Sequence, residues 1–565
     1  MPSSSRPETP GPARHSPLPT RPSVFHRLAS EHFDLLVVGG GINGAGIARD
    51  AALRGLAVAL VERDDFASGT SSRSSRLIHG GIRYLEHGYL HLVFEASRER
   101  RTLLRVAPHL VRPLEFTWPV YAGARVPGWK LRAGLLLYDA LSLFRNVANH
   151  TGLSAAEVLE REPALRQDRL TGGAAYYDAA TDDARLTLAN ALAAAEAGAA
   201  VANHAAVRAW LRDHAGDGAR VIGAVVEDTG TGERVEVRAR VVVNATGPWA
   251  DVLRRQEEPD TPPAVRGTKG VHILVPRARL GNRGALTLLS PLDGRVMFAL
   301  PAGAYALVGT TDTPTRAGPD DVRPTVADVD YLLRSANAFF PDAALTRADV
   351  LSAWAGIRPL VAAGYRANGG TASASREHAI ERGAGGVLAV SGGKLTTYRS
   401  MSAEVVDVAG RALGRRLPPT PTAVVPLPGG DTASLDAERS AARARIGQEA
   451  VADRLVDAFG TRWREVWRLA EVDPALATPV ALGRPYVGAE LAYAVDHEMA
   501  CTLADLLVRR TRLAFETGDA GAAIAPRAAA IVAPRRGWDE ARISVEVDRY
   551  CREASRLFGV DATEP

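Results

Sequence analysis

Three glycines at the end of an apolar run suit the binding of a phosphate. Residues 34–62 read DLLVVGGGINGAGIARDAALRGLAVALVE, so a predicted strand runs into Gly39, Gly41 and Gly44 and a predicted helix follows. In this Gly-x-Gly-x-x-Gly spacing the glycines allow a tight turn, a close approach of backbone to a pyrophosphate, and close packing of helix on strand. The helix N-terminus adds N–H donors and the positive end of the helix dipole. The pattern therefore predicts a dinucleotide site.

An acidic residue closes this unit at a position that suits a ribose. Glu62 follows the second predicted strand, where a carboxylate can accept hydrogen bonds from both hydroxyls of an adenosine ribose. Two other Gly-rich strand ends lie far along the chain, VVVNATGPWAD at 241–251 and GGVLAVSGGKLTTYR at 385–399. A module that binds NAD is usually contiguous, so strand ends this far apart favour the longer cofactor FAD on a discontinuous sheet.

The segment after Glu62 offers polar groups to such a cofactor. Five hydroxyls fall between Thr70 and Ser75, and a His-Gly-Gly triplet follows. Hydroxyls and backbone N–H groups can hydrogen-bond phosphate or the flavin, so we predict a wall of the cofactor site rather than an ordinary loop. The full predicted cofactor-binding set is Gly39, Gly41, Ile42, Asn43, Gly44, Glu62, Arg63, Thr70, Ser71, Ser72, Leu77, His79, Gly80, Gly81, Val207, Ala245, Thr246, Gly247, Trp249, Gly393, Lys394, Leu395 and Thr396.

Lysine is scarce in this chain, and its positions are therefore informative. Of 68 Lys and Arg residues only three are lysines: Lys130, Lys269 and Lys394. Coding bias towards arginine can explain the scarcity, but a retained lysine can also mark a need for a compact charge with a tunable pKa. Lys394 lies in a Gly-rich strand end, which makes it a candidate catalytic residue.

Composition limits the class of protein that positions these residues. The chain has 565 residues, of which 46% are hydrophobic and 23% charged, enough for roughly two to four domains with real cores. Two cysteines cannot form a disulfide framework and suit a reducing compartment. The formal net charge is +4 and no basic run is present, which argues against nucleic-acid binding.

The chain divides into three predicted regions. Residues 1–30 are rich in proline and predict a disordered tail. Residues 31–415 alternate strand-like and helix-like runs, which is typical of an α/β fold. A Pro-rich stretch at 416–427 predicts a linker, and a dense helical pattern follows it, so 416–565 is predicted to be a C-terminal helical domain.

One predicted helix has two interpretations. WKLRAGLLLYDALSLF, residues 129–144, has a basic, aromatic start and an apolar body, and it is too short and too charged to span a membrane. We favour a core helix with a solvated first turn. The alternative is a helix that lies on a membrane surface.

Eight segments together resemble a known family. In chain order they are GGGINGAGIARDAALRGL, GTSSRSSRLIHGGIRYLEHG, YDAATDDARLTLANA, VVNATGPWAD, KGVHILVPR, VGTTDT, WAGIRPLV and SGGKLTTYR. The chain resembles the FAD-dependent glycerol-3-phosphate dehydrogenases, the respiratory type that passes electrons to quinone. The later segment AYAVDHEMACTLADLLVRRTRL resembles that family's helical cap. The resemblance covers nearly the whole chain except the first thirty residues.

The resemblance implies an α/β fold in which a Rossmann-like FAD-binding domain of the D-amino-acid-oxidase type is interleaved with an antiparallel-sheet substrate domain. Residues of about 106–165 and 251–350 would form the substrate part. The implied reaction is oxidation of sn-glycerol 3-phosphate to dihydroxyacetone phosphate, with FAD reoxidised by membrane quinone. An oxygen-using glycerol-3-phosphate oxidase or a related amine oxidase is the alternative. The resemblance also implies a cytoplasmic protein that is peripheral on the inner face of the cell membrane, and a homodimer is a further expectation.

The same resemblance implies the substrate site. A phosphate monoester needs cations in a shielded pocket, and a base must accept the proton of the C2 hydroxyl. His79 is the predicted base and Lys394 the alternative, since a histidine or a desolvated lysine can have a pKa near the working pH. Arg358 is predicted to act with them. The implied substrate-binding set is Arg83, Tyr84, Lys269, Thr310, Thr311, Arg358 and Arg376.

Two other groupings predict no further chemistry. His87 and His91 are four residues apart but lack the glutamate of a His-Glu-x-x-His motif, so no metal site is predicted. Asp182 and Asp183 are expected to support the fold rather than to act as an acid–base pair.

Overall fold

The structure, a computed structural model, describes residues 18–81, 89–143, 147–214, 216, 218–315, 317–361 and 378–563. The strands in these ranges are β1 (His32–Val38), β2 (Val58–Val61), β3 (Leu77–Ile78), β4 (Val111–Tyr121), β5 (Thr151–Leu153), β6 (Leu170–Thr181), β7 (Ala200–Ala202), β8 (Ala205–Arg212), β9 (Val221–Asp228), β10 (Arg234–Asn244), β11 (Val265–Pro276), β12 (Ala285–Leu289), β13 (Val296–Ala302), β14 (Tyr305–Gly309), β15 (Thr313–Pro314), β16 (Ser352–Val361), β17 (His378–Arg382) and β18 (Leu388–Gly392). The α-helices are α1 (Arg21–Ser30), α2 (Ile42–Leu53), α3 (Leu90–Val106), α4 (Gly128–Leu141), α5 (Ala155–Arg161), α6 (Asp183–Glu196), α7 (Ala250–Glu257), α8 (Arg277–Leu280), α9 (Val326–Asn337), α10 (Tyr398–Ala412), α11 (Leu435–Ile446), α12 (Glu449–Phe459), α13 (Trp463–Val472), α14 (Gly488–His497), α15 (Ala525–Arg536) and α16 (Glu540–Phe558).

An eight-stranded sheet carries the glycine turn. Its main order is β17-β18-β10-β1-β2-β7, in which β18, β10, β1, β2 and β7 run parallel, while β8 and β9 continue from β10 as an antiparallel meander. The strand β2 is buried along its whole length, as expected for a parallel strand covered on both faces. Helices α2, α6 and α10 pack on one face, and α1 with the meander covers the other. The predicted α/β architecture is confirmed for this sheet.

A ten-stranded sheet forms the second layer. Its main order is β15-β11-β14-β13-β12-β4-β6-β3, with β16 on β11 and β5 on β6, and every pair is antiparallel except β12 with β4. The predicted boundaries of this part, 106–165 and 251–350, were too narrow, because β6 and β16 fall outside them. Local hydrophobicity identifies a strand, but only pairing with strands distant in sequence decides which sheet it joins.

The prediction that residues 1–30 form a disordered tail was wrong for residues 21–30, which form α1. Val24, Phe25 and Leu28 are buried against the eight-stranded sheet. Arg21 Nε donates to Asp228 Oδ2 at 2.9 Å. Pro22 does not prevent the helix because proline is tolerated in the first turn, where its missing N–H would have no intrahelical partner.

The Pro-rich stretch at 416–427, which was predicted to be a linker, packs against α2 and the residue that follows it. Arg54 Nε donates to the carbonyl oxygen of Pro418, and Arg49 Nη2 donates to that of Val425, each at 2.7 Å. The first helices after this stretch form a separate unit, because α11, α12 and α13 share a core with α14. The last part, which includes Phe515 and Tyr550, instead joins the core of the ten-stranded sheet.

The helix α4 has a core face, as the favoured interpretation predicts, and an exposed face that carries apolar side chains. Leu131, Leu135 and Tyr138 are buried in the core. Trp129 is 74% exposed and Leu136 is 56% exposed on the opposite side. Among the helices of the described ranges, none is long and apolar enough to cross a membrane.

Candidate active site

The glycine turn between β1 and α2 is shaped by close backbone contacts. Gly39 has φ of +108°, and a Cβ there would lie 2.8 Å from the carbonyl oxygen of Ala245. A Cβ on Gly44 would lie 1.8 Å from the carbonyl oxygen of Gly39, so Gly44 lets α2 pack against the turn. Gly41 is the N-cap of α2. The backbone thus leaves the positive end of α2 open to a phosphate.

Glu62 lies at the end of β2, next to this turn. Its Oε2 accepts a hydrogen bond from Gly40 N at 2.6 Å, and its Oε1 accepts one from Asp64 N at 2.9 Å. Burial raises the pKa of Glu62 to about 7, because the charged carboxylate is poorly solvated there. The carboxylate is held in one orientation, with acceptor capacity left for a ribose.

One cavity of about 550 Å³ runs from the glycine turn to the ten-stranded sheet. It brings together residues from the three Gly-rich strand ends, from the hydroxyl-rich segment and from the second sheet. The predicted site residues that line it are Gly39, Gly41, Ile42, Asn43, Glu62, Arg63, Thr70, Ser71, Leu77, His79, Val207, Ala245, Thr246, Gly247, Trp249, Thr310, Arg358, Gly393, Lys394, Leu395 and Thr396.

Several predicted cofactor residues lie behind the cavity wall instead. Ser72 is buried and Gly80 N donates to Tyr138 Oη at 3.0 Å, away from the lining. Gly81 also does not line the cavity. His79 does, and its backbone N–H donates to Thr396 Oγ1 at 3.1 Å. The hydroxyl-rich segment therefore lines the cavity, while Ser72, Gly80 and Gly81 lie outside its lining.

Arg358 on β16 provides the cation at the far end of the cavity. Its Nη2 donates to Thr310 Oγ1 at 2.9 Å and to the carbonyl oxygen of Thr311 at 3.0 Å, and its Nη1 donates to Asp312 Oδ1 at 3.2 Å. A Cβ on Gly270 would lie 2.5 Å from Arg358 Nη2. The glycine thus leaves space for the guanidinium to lie across β11, where it faces the cavity.

Lys269 does not reach this site, and its predicted contact with substrate was wrong. Its Nζ lies 2.8 Å from Asp328 Oδ2, at the start of α9, and the residue is 1% exposed and absent from the cavity lining. Alternate residues of a strand point to opposite faces. Gly270 and His272 face the cavity, so Lys269 and Val271 face α9. Thr311 is likewise buried outside the lining, where its Oγ1 accepts from Val271 N.

His272 lines the cavity and was not selected from the sequence. Its Nε2 lies 2.8 Å from Ser75 Oγ, and its ring stacks on Trp354 with centres 5.7 Å apart. Its Nδ1 has no hydrogen-bond partner among the described residues. Burial, Arg358 and Arg76 lower the pKa of His272 to about 3, so the imidazole is neutral. Alternate residues of a strand share a face, so the position of His272 two residues after Gly270 was the only sequence signal that could have indicated this residue.

Three predicted substrate residues, Arg83, Tyr84 and Arg376, lie outside the described residues. Asp182 and Asp183 support the fold as expected: Asp182 caps α6 and pairs with Arg512, and Asp183 accepts from Ser74 Oγ at 2.7 Å.

One cluster outside the cavity has the side chains of a metal site, His204, Cys501 and Asp505. Asp505 is already engaged, because its oxygens accept hydrogen bonds from His204, Thr502 and Arg509 as well as from Cys501 N. Burial also raises the pKa of Cys501 to about 11, which opposes formation of a thiolate ligand. The cluster is an ion-pair network that joins the C-terminal helices to the eight-stranded sheet.

The cavity fits a bound FAD. Gly39 and Gly44 occupy positions where a Cβ would clash with the backbone of the turn. The N-terminus of α2 faces this turn, and the Glu62 carboxylate lies at the end of β2. A protein-family comparison agrees: the family described as "FAD dependent oxidoreductase" matches residues 34–399, and "C-terminal domain of alpha-glycerophosphate oxidase" matches residues 420–543. This chain belongs to the FAD-dependent oxidoreductases.

Similar proteins narrow the family further. A glycerol-3-phosphate dehydrogenase 2 of Mycobacterium tuberculosis is 40% identical over 537 residues, which cover 94% of this chain and 89% of that protein. The mitochondrial glycerol-3-phosphate dehydrogenase of Bos taurus is 37% identical, covering 95% and 75%. The crystal structure of the Bacillus halodurans glycerol-3-phosphate dehydrogenase, complexed with FAD, matches with a TM-score of 0.77 at 31% identity and covers 95% and 97%. The chain is thus a member of the FAD-dependent glycerol-3-phosphate dehydrogenase family, and the expected fold with a C-terminal helical domain is confirmed.

Proposed function

We propose that this enzyme oxidises sn-glycerol 3-phosphate to dihydroxyacetone phosphate. The observation that carries the proposal is the pairing of Arg358 and His272 on one face of the ten-stranded sheet. The Arg358 guanidinium lies over Gly270, and His272 is the next residue of β11 on that face, about 7 Å further along the strand. This separation suits a three-carbon chain with a phosphate at one end and a reacting hydroxyl in the middle.

Arg358 would bind the phosphate. A guanidinium presents a planar fork that matches phosphate oxygens, and its hydrogen bonds to them are charge-assisted. Thr310, Thr311 and Asp312 accept hydrogen bonds from the same fork, which fixes its plane before the substrate arrives. Binding then loses little side-chain entropy.

His272 would accept the proton of the C2 hydroxyl. The imidazole of His272 lines the cavity and is neutral, so it can accept a proton. When the phosphate pairs with Arg358, one of the charges that lowers the pKa of His272 is neutralised, so the base strengthens as substrate binds. His79 and Lys394, which also line the cavity, stay as alternative bases. Bound FAD supplies the hydride acceptor.

We further propose that membrane quinone reoxidises the enzyme, which would lie on the inner face of the cell membrane. The exposed side of α4 supports this. Trp129, Leu136 and Leu143 are each more than half exposed, and Lys130 and Arg132 project from the same helix. Apolar side chains next to basic ones suit an anionic bilayer, in which quinone is dissolved.

An anaerobic titration of the purified holoenzyme tests this function. Glycerol 3-phosphate should bleach the oxidised flavin spectrum, and a short-chain quinone should restore it. Failure of glycerol 3-phosphate to bleach the flavin would refute the proposed substrate, and bleaching by an amino acid instead would indicate an amine oxidase. Restoration by oxygen with stoichiometric peroxide, but not by quinone, would make the protein an oxidase.

A further inference from the structure

A buried arginine lies behind the substrate end of the cavity without lining it. Arg76 is 8% exposed, and its guanidinium carbon lies 5.3 Å from the ring centre of Trp354 and 4.8 Å from that of Phe515. It forms no salt bridge with any carboxylate in the part of the chain that the structure describes. Burial of a charge without an ionic partner is costly, so this arginine requires a physical explanation.

Arg76 belongs to a stack that begins in the cavity. The His272 ring lies nearly parallel to Trp354, at 17°, and Phe515 meets Trp354 edge-on with centres 4.9 Å apart. The carbonyl oxygen of Phe515 accepts a hydrogen bond from Ser352 Oγ at 2.7 Å, on the strand that also carries Trp354. The stack therefore links the substrate sheet to the C-terminal helices.

Ring contacts, rather than hydrogen bonds, hold the middle of this stack. Trp354 Nε1 and Arg76 Nε have no hydrogen-bond partner among the described residues, although buried polar groups are nearly always satisfied. A cation over an aromatic face is attracted by the ring quadrupole, most strongly when both are desolvated. The guanidinium thus contacts both Trp354 and Phe515, and Trp354 stacks on the imidazole.

We infer that Arg76 is a positioning residue for His272: through Trp354 it fixes the plane of the imidazole, and as a buried cation it keeps that imidazole neutral while substrate is bound. The inference rests on the proposed function, in which His272 accepts the proton.

Arg76 is the cation that still acts on His272 when substrate is bound. The cations that face His272 are Arg358 and Arg76, and with burial they lower its pKa. A phosphate dianion on Arg358 cancels the field of that arginine at the imidazole. Arg76 lies outside the cavity lining, so it has no contact with the phosphate and keeps its charge.

The other charged groups around Arg76 are already paired elsewhere. They are Arg512, Asp182, Asp183 and Glu516. Arg512 Nη2 lies 3.0 Å from Asp182 Oδ2, Asp183 accepts from Ser74, and Glu516 Oε1 accepts from Tyr486 Oη at 2.9 Å. None of these carboxylates forms an ion pair with Arg76, although each attracts its charge, and Arg76 still acts on His272 as a cation.

The test measures the titration of His272 directly. Holoenzyme labelled with ¹³C-histidine is titrated by NMR with inorganic phosphate present, and the His272 resonance is assigned by its loss in His272→Asn. We expect the pKa of His272 in Arg76→Met to rise by about one unit or more above wild type. Arg76→Lys, which keeps the charge, should stay near wild type. An unchanged pKa in Arg76→Met would overturn the electrostatic role.

A matched control separates charge from packing. Phe515→Leu removes one ring from the stack but no charge, so the pKa of His272 should stay at the wild-type value; a rise as large as that in Arg76→Met would overturn the inference. In kinetics, Arg76→Met should shift the acid limb of the pH profile of kcat upward by the same amount as the pKa of His272, with KM unchanged, and Arg76→Lys should restore the profile. If glycerol 3-phosphate does not bleach the wild-type flavin, the proposed function fails, and the NMR titration still decides the role of Arg76.

Discussion

The two sheets build their halves of the cavity in different ways. The eight-stranded sheet contributes mainly backbone: glycines at strand ends, a helix N-terminus and one carboxylate that closes β2. The ten-stranded sheet contributes side chains from the face of its strands, with Arg358 and His272 standing above glycines of the neighbouring strand. The residues of the first half lie in contiguous sequence motifs. In the second half, whether a residue lines the cavity depends on the face of the strand that it occupies.

This difference explains where sequence reasoning failed. A glycine motif acts through its own neighbours, so its residues can be identified without the rest of the fold. A residue on a strand faces a ligand or a core according to parity alone. Lys269 is three residues from His272 on β11, and that odd separation puts it in a buried ion pair with Asp328.

The largest effect should come from the two histidines that line the cavity. His272→Asn should retain FAD and slow single-turnover flavin reduction by about 10²–10⁴-fold, since it removes the proposed base. His79→Asn, the matched variant in the segment directly after β3, should have the smaller effect. A larger loss in His79→Asn would return the base to the position predicted from the sequence motif and would show that strand parity did not decide it.

Lys269→Met should damage stability rather than binding. Removing one partner of a buried ion pair leaves Asp328 uncompensated and should lower the free energy of unfolding by about 3–5 kcal/mol, while KM for glycerol 3-phosphate stays within about twofold. Denaturant unfolding and steady-state kinetics measure the two quantities. Lys130→Met, at an exposed lysine, is the control and should change neither. A tenfold rise in KM at full stability would show that Lys269 contacts substrate after all.

Arg358 can be tested with and without removing its charge. Arg358→Ala should weaken substrate binding by about 10–100-fold, because hydrogen bonds between charged groups contribute about 1.5–3 kcal/mol, while the flavin spectrum is unchanged. Gly270→Ala keeps the charge but puts a Cβ where the guanidinium lies, so its loss of affinity should be smaller. Rapid-mixing flavin reduction at varied substrate concentration gives both affinities. Full affinity in Arg358→Ala would remove this residue from the phosphate site.

The smallest effect is expected at Glu62, in the half of the cavity that the eight-stranded sheet contributes. The ribose hydroxyls of FAD should prefer the ionised form of Glu62, whose pKa is raised to about 7 in the apoprotein, so the affinity of the apoprotein for FAD should rise by up to about tenfold between pH 6 and pH 8. The same shift makes the apoprotein less stable as the pH rises from 4.5 to 7, because the unfolded glutamate ionises first. Glu62→Gln should bind FAD more weakly and lose the pH dependence; fluorescence titration with FAD measures both.

Much of the fold could be predicted from the sequence, and the failures have identifiable physical causes. The parallel strands of the first sheet are apolar throughout, and the C-terminal region has helical periodicity, so both regions were recognised. The high proline content led to a prediction of disorder where α1 forms. Three apolar residues at helical spacing, Val24, Phe25 and Leu28, are buried and hold this helix in place. Proline density predicted a linker at 416–427, and only the structure shows that its backbone carbonyls accept hydrogen bonds from Arg49 and Arg54.

The sequence by itself determined the glycine turn, the acid that follows β2, the three strand ends that line one cavity, and the family. Each of these depends on residues adjacent in the chain, or on motifs that need a particular residue type. Only the tertiary structure decided that His272 faces the cavity while Lys269 does not, and that Arg76 is stacked between Trp354 and Phe515. Those facts depend on strand parity and on packing between segments far apart in sequence, and no local pattern encodes either one.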